Sequence, residues 1–194
     1  MDENYLNSIE EMDINATDMD GLTPSLHRAA KGGNIEYLEL LLLTTPDILV
    51  NAKYIDGWTP LCLAARYGHA DCAKALLSVP GILVNEKNND GWTPLCVAAR
   101  YGHTECVKAL LNARDIRVNE KNNYGWMPLS SAAFFGHAKC IKELLSAPGI
   151  LVNEKNNDDW TPLHLTALNG HIECIKELLS APGILVNDSS YAPC

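Results

Sequence analysis

A four-residue phrase returns five times along this chain, and its spacing limits the folds open to it. It reads Gly21-Leu22-Thr23-Pro24, Gly57-Trp58-Thr59-Pro60, Gly91-Trp92-Thr93-Pro94, Gly125-Trp126-Met127-Pro128 and Asp159-Trp160-Thr161-Pro162, so the prolines fall 36, 34, 34 and 34 residues apart. The same marks follow each phrase: an Ala pair (Ala64-Ala65, Ala98-Ala99, Ala132-Ala133), a Gly-His step (Gly68-His69, Gly102-His103, Gly136-His137, Gly170-His171), a Leu pair, and a closing Val-Asn. A period of this length marks a stacked solenoid, in which each unit buries its apolar faces on its neighbours.

The residues of one unit specify its parts. Thr59 suits an N-cap and Pro60 the first helical position. Leu61, Ala64 and Ala65 give a narrow apolar face at helical spacing, and Gly68 can take the positive φ that stops a helix. A second helix opens after His69; in the third copy its apolar side is Val107, Leu110 and Leu111. Pro80-Gly81 breaks the equivalent helix of the second copy. Asn88-Asn89-Asp90-Gly91 is a turn signal that suits a projecting hairpin. Helices of about seven residues do not persist alone in water, so the units must stack.

The phrase G-W-T-P-L-C-x-A-A-R-Y-G-H-x-x-C-x-K-A-L-L of copies two and three, with T-P-L-H-L-T-A-L-N-G-H in copy five, resembles the ankyrin repeat. The resemblance runs from about Gly21 to Asn187. It implies an all-α solenoid of helix–turn–helix units with short projecting β-hairpin turns, and a protein-binding module without catalysis or cofactor. The domain reading is an acidic half-repeat cap at 1–20, an array of five repeats at 21–187 and a tail at 188–194. Tyr5, Leu6 and Ile9 would be the remnant of the cap's helix.

Some positions depart from the family pattern. The copies are one residue longer than the usual 33, with the extra residue in the bend after the second helix. Copy one carries two more, near Ser25 and in Leu43-Thr44-Thr45. Met127 removes an N-cap hydroxyl, at a cost of ~1 kcal/mol. Asp159 replaces a turn glycine, which strains the backbone. The histidine of the Thr-Pro-Leu-His phrase survives at His164 and, offset, at His27; Cys62, Cys96 and Ser130 replace it elsewhere, which puts its structural hydrogen bonds in doubt for copies two to four.

Composition narrows the function. The net charge of −9 is localised: seven acids and no base lie in the first twenty residues, leaving 17 acids against 15 bases in the rest. Neither part offers the Lys/Arg surface on which nucleic-acid affinity rests. No apolar run reaches the ~18 residues of a membrane span. The acidic head has no basic start or apolar stretch of a secretory signal, and neither terminus fits a common lipidation signal. The expectation is a cytoplasmic protein with no membrane or nucleic-acid partner.

Seven cysteines are present, and six follow the 34-residue period: Cys62 with Cys96, and Cys72, Cys106, Cys140 and Cys174. They read as reduced, buried small hydrophobes rather than a disulfide or metal framework. His69, His103, His137 and His171 stand one per unit, too far apart to share a tetrahedral ion, so they read as structural and no metal is expected. The Glu86-Lys87 type pairs read as solvated hairpin ends. Asn15-Ala16-Thr17 and Asn187-Asp188-Ser189 match a glycosylation sequon that is inert without secretion.

The resemblance implies that partner contacts fall at hairpin tips and along the first helix, on the concave side. Carried onto this chain, those columns hold Trp58, Trp92, Trp126 and Trp160, then Arg66-Tyr67, Arg100-Tyr101 and Phe134-Phe135. Trp, Tyr and Arg are enriched at binding hot spots, and Arg can lie over an aromatic face. These ten residues are the candidate partner surface. Two plainer readings stand beside it. The columns could reflect duplication of one unit, and the tryptophans could pack over neighbouring turns.

The last copy keeps Ile172, Cys174, Ile175, Leu178 and Leu179, like an internal copy, where solenoid ends usually carry polar caps. An end of this kind points to self-association or to a longer array. The function expected is a protein–protein interaction module (an adaptor, a targeting module or an occluding inhibitor). The alternative is an architectural array with no ligand of its own; an enzyme with a thiol or metal centre is a weaker rival.

Overall fold

A computed structural model describes residues 25–45 and 47–186. The half-repeat cap, Leu22 and the tail at 188–194 lie outside the described residues. Among the described residues ten α-helices pair into five units: α1 (Ser25–Gly32) with α2 (Ile35–Thr44), α3 (Pro60–Tyr67) with α4 (Ala70–Leu77), α5 (Pro94–Tyr101) with α6 (Thr104–Leu111), α7 (Pro128–Phe135) with α8 (Ala138–Leu145), and α9 (Pro162–Leu168) with α10 (Ile172–Leu179). The first helices stack on one another in one layer and the second helices in another. No helix among the described residues is long and apolar enough to cross a membrane.

The local signals act as read. Thr59 and Thr93 accept the N–H of Cys62 and Cys96 at 3.2 Å, and Pro60 and Pro94 occupy the first turn. The alanine pairs are fully enclosed, which lets the first helices approach closely. The core runs unbroken through the stack, from Leu26 and Leu38 through Leu61, Leu76, Leu95, Leu110, Leu129 and Leu144 to Leu165 and Leu178. Burying a leucine side chain stabilises the fold by about 1.5–3 kcal/mol. Such leucines are shared across unit boundaries, so no unit keeps that gain alone.

The missing hydroxyl at Met127 is compensated. Ser130 turns its hydroxyl inward, accepting the Met127 N–H at 2.8 Å and donating to the Met127 carbonyl at 3.0 Å. Met127 itself is 2% exposed, so the substitution exchanges a cap for core packing. In copy one, the extra residue near Thr44 extends α2 to ten residues, against eight in the second helices of the other copies.

The projecting turns are hairpin-like but form no strand among the described residues. Asn88 donates its N–H to the Trp92 carbonyl at 3.1 Å, and Gly91 donates to Asn88 at 3.0 Å. The Asn88 side-chain oxygen accepts from the backbone of Asp90 and Trp92. Two of these turns reach the preceding one through one main-chain bond, from Asn89 to Asp56 and from Asn123 to Asp90. One such bond per turn joins the tips without building a β-ladder.

Candidate protein-binding groove

Three sets of side chains register one copy on the next and so hold the groove in shape. The first is histidine. His69, His103, His137 and His171 place Nε2 2.9–3.0 Å from the carbonyls of Lys31, Arg66, Arg100 and Phe134, each in the preceding copy. A carbonyl only accepts, so Nε2 carries the proton. Four periodic histidines are thereby used as clamps, and among the described residues no three His, Cys, Asp or Glu side chains cluster as a metal site would need.

The second set is the asparagine that closes each unit. Asn51, Asn85, Asn119 and Asn153 each donate to the carbonyl of the next copy's bend (Gly81, Asp115, Gly149 and Gly183) at 2.8 Å. Each also accepts a backbone N–H two residues further on, from Leu83, Arg117, Leu151 and Leu185. The bend with the extra residue is thus a docking point. Sequence reading missed this role, although the invariance of Val-Asn across all five copies carried the signal.

The third set corrects the reading of the Glu-Lys pairs as solvated ends. Lys53 pairs with Glu86 at 2.7 Å, Lys87 with Glu120 at 2.8 Å and Lys121 with Glu154 at 2.8 Å. Lys87 and Lys121 also donate to the carbonyls of Lys121 and Lys155. Each lysine therefore bridges two hairpins, and for Lys87 and Lys121 the carbonyl bond adds to an ion pair that would be weak alone.

The cysteines in the place of the family histidine keep part of its function. His27 donates to the Ala52 carbonyl at 2.8 Å. At the equivalent positions the Cys62 and Cys96 thiols point at the carbonyls of Glu86 and Glu120, at 3.7 and 3.5 Å. A thiol is a weak donor, so the bond survives in diluted form. Burial pushes the Cys62 thiol up to about 11 and Cys96 to about 12. A nucleophilic cysteine needs the opposite shift.

On this frame, eight of the ten candidate residues converge. Trp58, Arg66, Trp92, Arg100, Tyr101, Trp126, Phe134 and Phe135 line one groove of about 410 Å³ on the side of the first helices. Arg66 lies 4.8 Å over Trp58 and 5.6 Å from the Tyr101 ring of the next copy. Arg100 lies 5.0 Å over Trp92 and 4.6 Å over Phe135 of the copy after. Phe134 meets Trp126 and Phe135 edge-on at 5.1 and 5.0 Å. The columns make a continuous strip of alternating cation and ring across three copies.

Tyr67 and Trp160 stand outside that lining. Tyr67 stacks on His69 beneath Lys31, and Trp160 meets His164 edge-on at 6.0 Å. Exposure separates the columns. Tyr67, Tyr101 and Phe135 are 42%, 40% and 37% exposed, whereas Trp92 is 9% exposed. Trp92 thus packs over its own turn as well as facing the groove, and its truncation would disturb the fold along with any contact. Asp90 and Tyr124 also line the groove and were missed. Tyr124 occupies a hairpin column otherwise filled by Asp56, Asp90 and Asp158, and that break in the pattern was the available signal. A hollow of about 510 Å³ lies between α2 and α4; its described lining is mainly aliphatic and carries one charge, Glu39.

The repeats decide the family. A sequence model described as "Ankyrin repeats (3 copies)" matches residues 4–88, 26–122, 76–156 and 114–190. The chain belongs to the ankyrin-repeat family. Its members are generally protein-interaction modules and generally not enzymes. Among curated proteins, the human "SMC5-SMC6 complex localization factor protein 1" is 38% identical over 74 residues, which is 38% of this chain and 7% of that protein. The Caenorhabditis elegans "Transient receptor potential cation channel subfamily A member 1 homolog" is 41% identical over 68 residues, 35% of this chain and 6% of the channel. "Potassium channel AKT1" of Oryza sativa subsp. indica is 44% identical over 59 residues, 30% of this chain and 6% of that channel. The matches thus span less than a tenth of these relatives' length, and what the relatives share with this ankyrin protein is the repeat.

Proposed function

We propose that this ankyrin array binds a partner protein in the groove between Trp58 and Phe135, and acts as an adaptor, a targeting module or an inhibitor that works by occlusion. The observation that carries the reading is the strip of rings and arginines crossing three copies, with Tyr101 and Phe135 exposed in it, on a frame clamped between successive copies. Large, stiff side chains lose little freedom on binding, and a preformed groove avoids part of the ordering cost of association. The relatives, a localization factor and two channels, are consistent with a module that attaches one protein to another. The six described cysteines are free thiols, which supports a reducing compartment such as the cytoplasm.

Pull-down with the wild-type chain and with a Tyr67→Ala/Tyr101→Ala/Phe135→Ala variant, read by mass spectrometry, tests the proposal. Proteins retained by the wild type and lost by the variant are the expected result. Nothing retained above background by either would favour the architectural reading. Self-association is a second reading: Leu168, Ile172 and Leu179 of the fifth copy are 63%, 60% and 47% exposed, while Cys174 and Leu178 are buried. It requires sedimentation that shifts with concentration, and a Leu168→Glu/Ile172→Glu variant that stays monomeric.

A further inference from the structure

We infer that the partner segment is acidic, and that Arg66 and Arg100 each receive one of its carboxylates. This rests on the groove reading above and gives it a chemistry. Both arginines are half-buried, and among the described residues neither guanidinium donates a hydrogen bond or forms an ion pair within 4 Å, although Asp90 lines the same groove. The arginine ion pairs of the described residues are those of Arg114 and Arg117. The contrast with the hairpin edge is sharp, since Lys53, Lys87 and Lys121 each pair with a glutamate of the next copy.

Rings lie beside both guanidiniums, with Arg66 4.8 Å from Trp58 and Arg100 5.0 and 4.6 Å from Trp92 and Phe135, and a ring contact takes up none of the five N–H donors of an arginine. The fork of those donors matches a carboxylate in two-point geometry. A cation that has lost part of its water and holds no ion pair gains most from an external anion.

Spacing narrows the ligand. Both guanidinium carbons lie within 6 Å of the Tyr101 ring centre, at 5.6 and 5.9 Å, so they are no more than about 12 Å apart. An extended peptide rises ~3.3 Å per residue, so two acids up to three or four positions apart reach both. An apolar residue between them would rest on Tyr101 and Phe135. Two arginines against the one carboxylate of Asp90 leave the described lining a single net positive charge, and the chain carries −9 overall, so the groove has charge for a short acidic segment and not for a long anion. A short acid-bearing segment therefore suits the groove better than a polyanion such as a nucleic acid strand.

Phage selection of random dodecapeptides on the full chain, followed by fluorescence anisotropy with the enriched peptides, tests this. The expected winners carry two Asp or Glu within four positions and an apolar residue between them. Their affinity should fall roughly tenfold or more when the peptide acids become Asn or Gln, which leaves the protein untouched. Arg66→Gln/Arg100→Gln should lose at least as much, Arg66→Lys/Arg100→Lys should lose less, and raising salt from roughly 0.05 to 0.5 M should weaken binding. Acid-free winners that still fail to bind Tyr101→Ala would overturn the acidic assignment and keep the groove. Winners indifferent to Tyr101→Ala and Phe135→Ala, or no enrichment at all, would overturn both. A labelled single-stranded oligonucleotide bound more tightly than any selected peptide would replace the peptide as ligand class.

Discussion

The imidazole of His137 belongs to the fourth copy but is held by the third: Nε2 meets the Arg100 carbonyl at 3.0 Å, and the ring edge closes over Gly102, where a Cβ would come within 2.6 Å of Nδ1. The Gly-His step repeated in copies two to five therefore serves a pairing between copies. The glycine of one unit makes room for the histidine of the next.

A comparison of two alanine substitutions isolates this fit. Gly102 and Gly170 share the left-handed backbone, at φ 76° and 69°, but a Cβ on Gly170 meets nothing within 4 Å. Gly170→Ala should cost only the backbone term of about 1–2 kcal/mol. Gly102→Ala must also displace His137 and should cost at least about 1 kcal/mol more. Urea unfolding midpoints of the two variants measure the difference; equal midpoints would show that the histidine yields freely.

The histidine clamps also set a pH response. His27 and His137 both sit below the ordinary imidazole value of 6.5, chiefly because burial disfavours the charged ring. The unfolded chain takes up a proton near 6.5 while the folded chain resists it. Their contribution is complete above that pH and is lost as pH falls below 6.5 through the folded values. Denaturant midpoints should therefore drop between about pH 7 and pH 5. His137→Gln, which can still donate to Arg100, should flatten part of that slope, and an unchanged profile would discount the clamp as a titrating group.

Thiol chemistry offers a direct check on the buried cysteines. Cys62, Cys96, Cys106 and Cys174 are held as thiols at about 11, 12, 11 and 11 by burial. In a Cys194→Ser protein, a thiol-reactive dye at pH 8 should label almost nothing until denaturant is added, and then all six remaining cysteines. Rapid stoichiometric labelling of one site in the native protein would contradict the enclosure described and reopen a reactive-thiol role.

The asparagine clasps predict a loss that sequence neighbours do not share. Asn119→Ala removes the bonds to Gly149 and Leu151 at 2.8 and 3.0 Å, both near the surface, and should destabilise by about 1–2 kcal/mol. The same change at Asn123, whose side chain bonds once across copies, to the Asn89 carbonyl, should cost less. Hydrogen exchange at the Leu151 amide would report the opened bend directly.

Asp115 takes the left-handed conformation at φ 63°, where the matching bends use Gly81, Gly149 and Gly183. Asp115→Gly keeps the carbonyl that Asn85 grips and relieves the strain, so it should stabilise by roughly 0.5–1 kcal/mol. A melting midpoint that fails to rise would mean that the aspartate side chain compensates locally.

Much of this molecule could be read without coordinates because the repeat states each instruction several times. Thr-Pro starts, Gly-His stops and Leu pairs fixed the helices, since caps and apolar spacing act within a few residues of themselves. The convergence of Trp58, Arg66, Tyr101 and Phe135 was also legible, because equal spacing places equal columns side by side. What escaped were contacts between residues 24 to 37 apart whose chemistry looks ordinary locally. Asn85, Lys87 and Cys96 each spend their polar atoms on the next copy's backbone, and a backbone carbonyl leaves no mark in sequence. Ser130 hid for a different reason: its hydroxyl replaces a cap three residues away, which only the geometry of that turn reveals.

Asp159 gives the array a direction of growth. At the matching tips the next copy's asparagine leaves no space for a side chain; a Cβ on Gly91 would fall 2.5 Å from the Asn123 side-chain oxygen. Asp159 carries a side chain at the position where, in those copies, the asparagine docks against glycine. Duplicating a module among copies two to four joins like to like, whereas seating a module of the same kind against the tip at Asp159 would call for glycine there. Lengthening from within is thus the easier evolutionary and engineering route, and insertion there would widen the aromatic strip by one more rung.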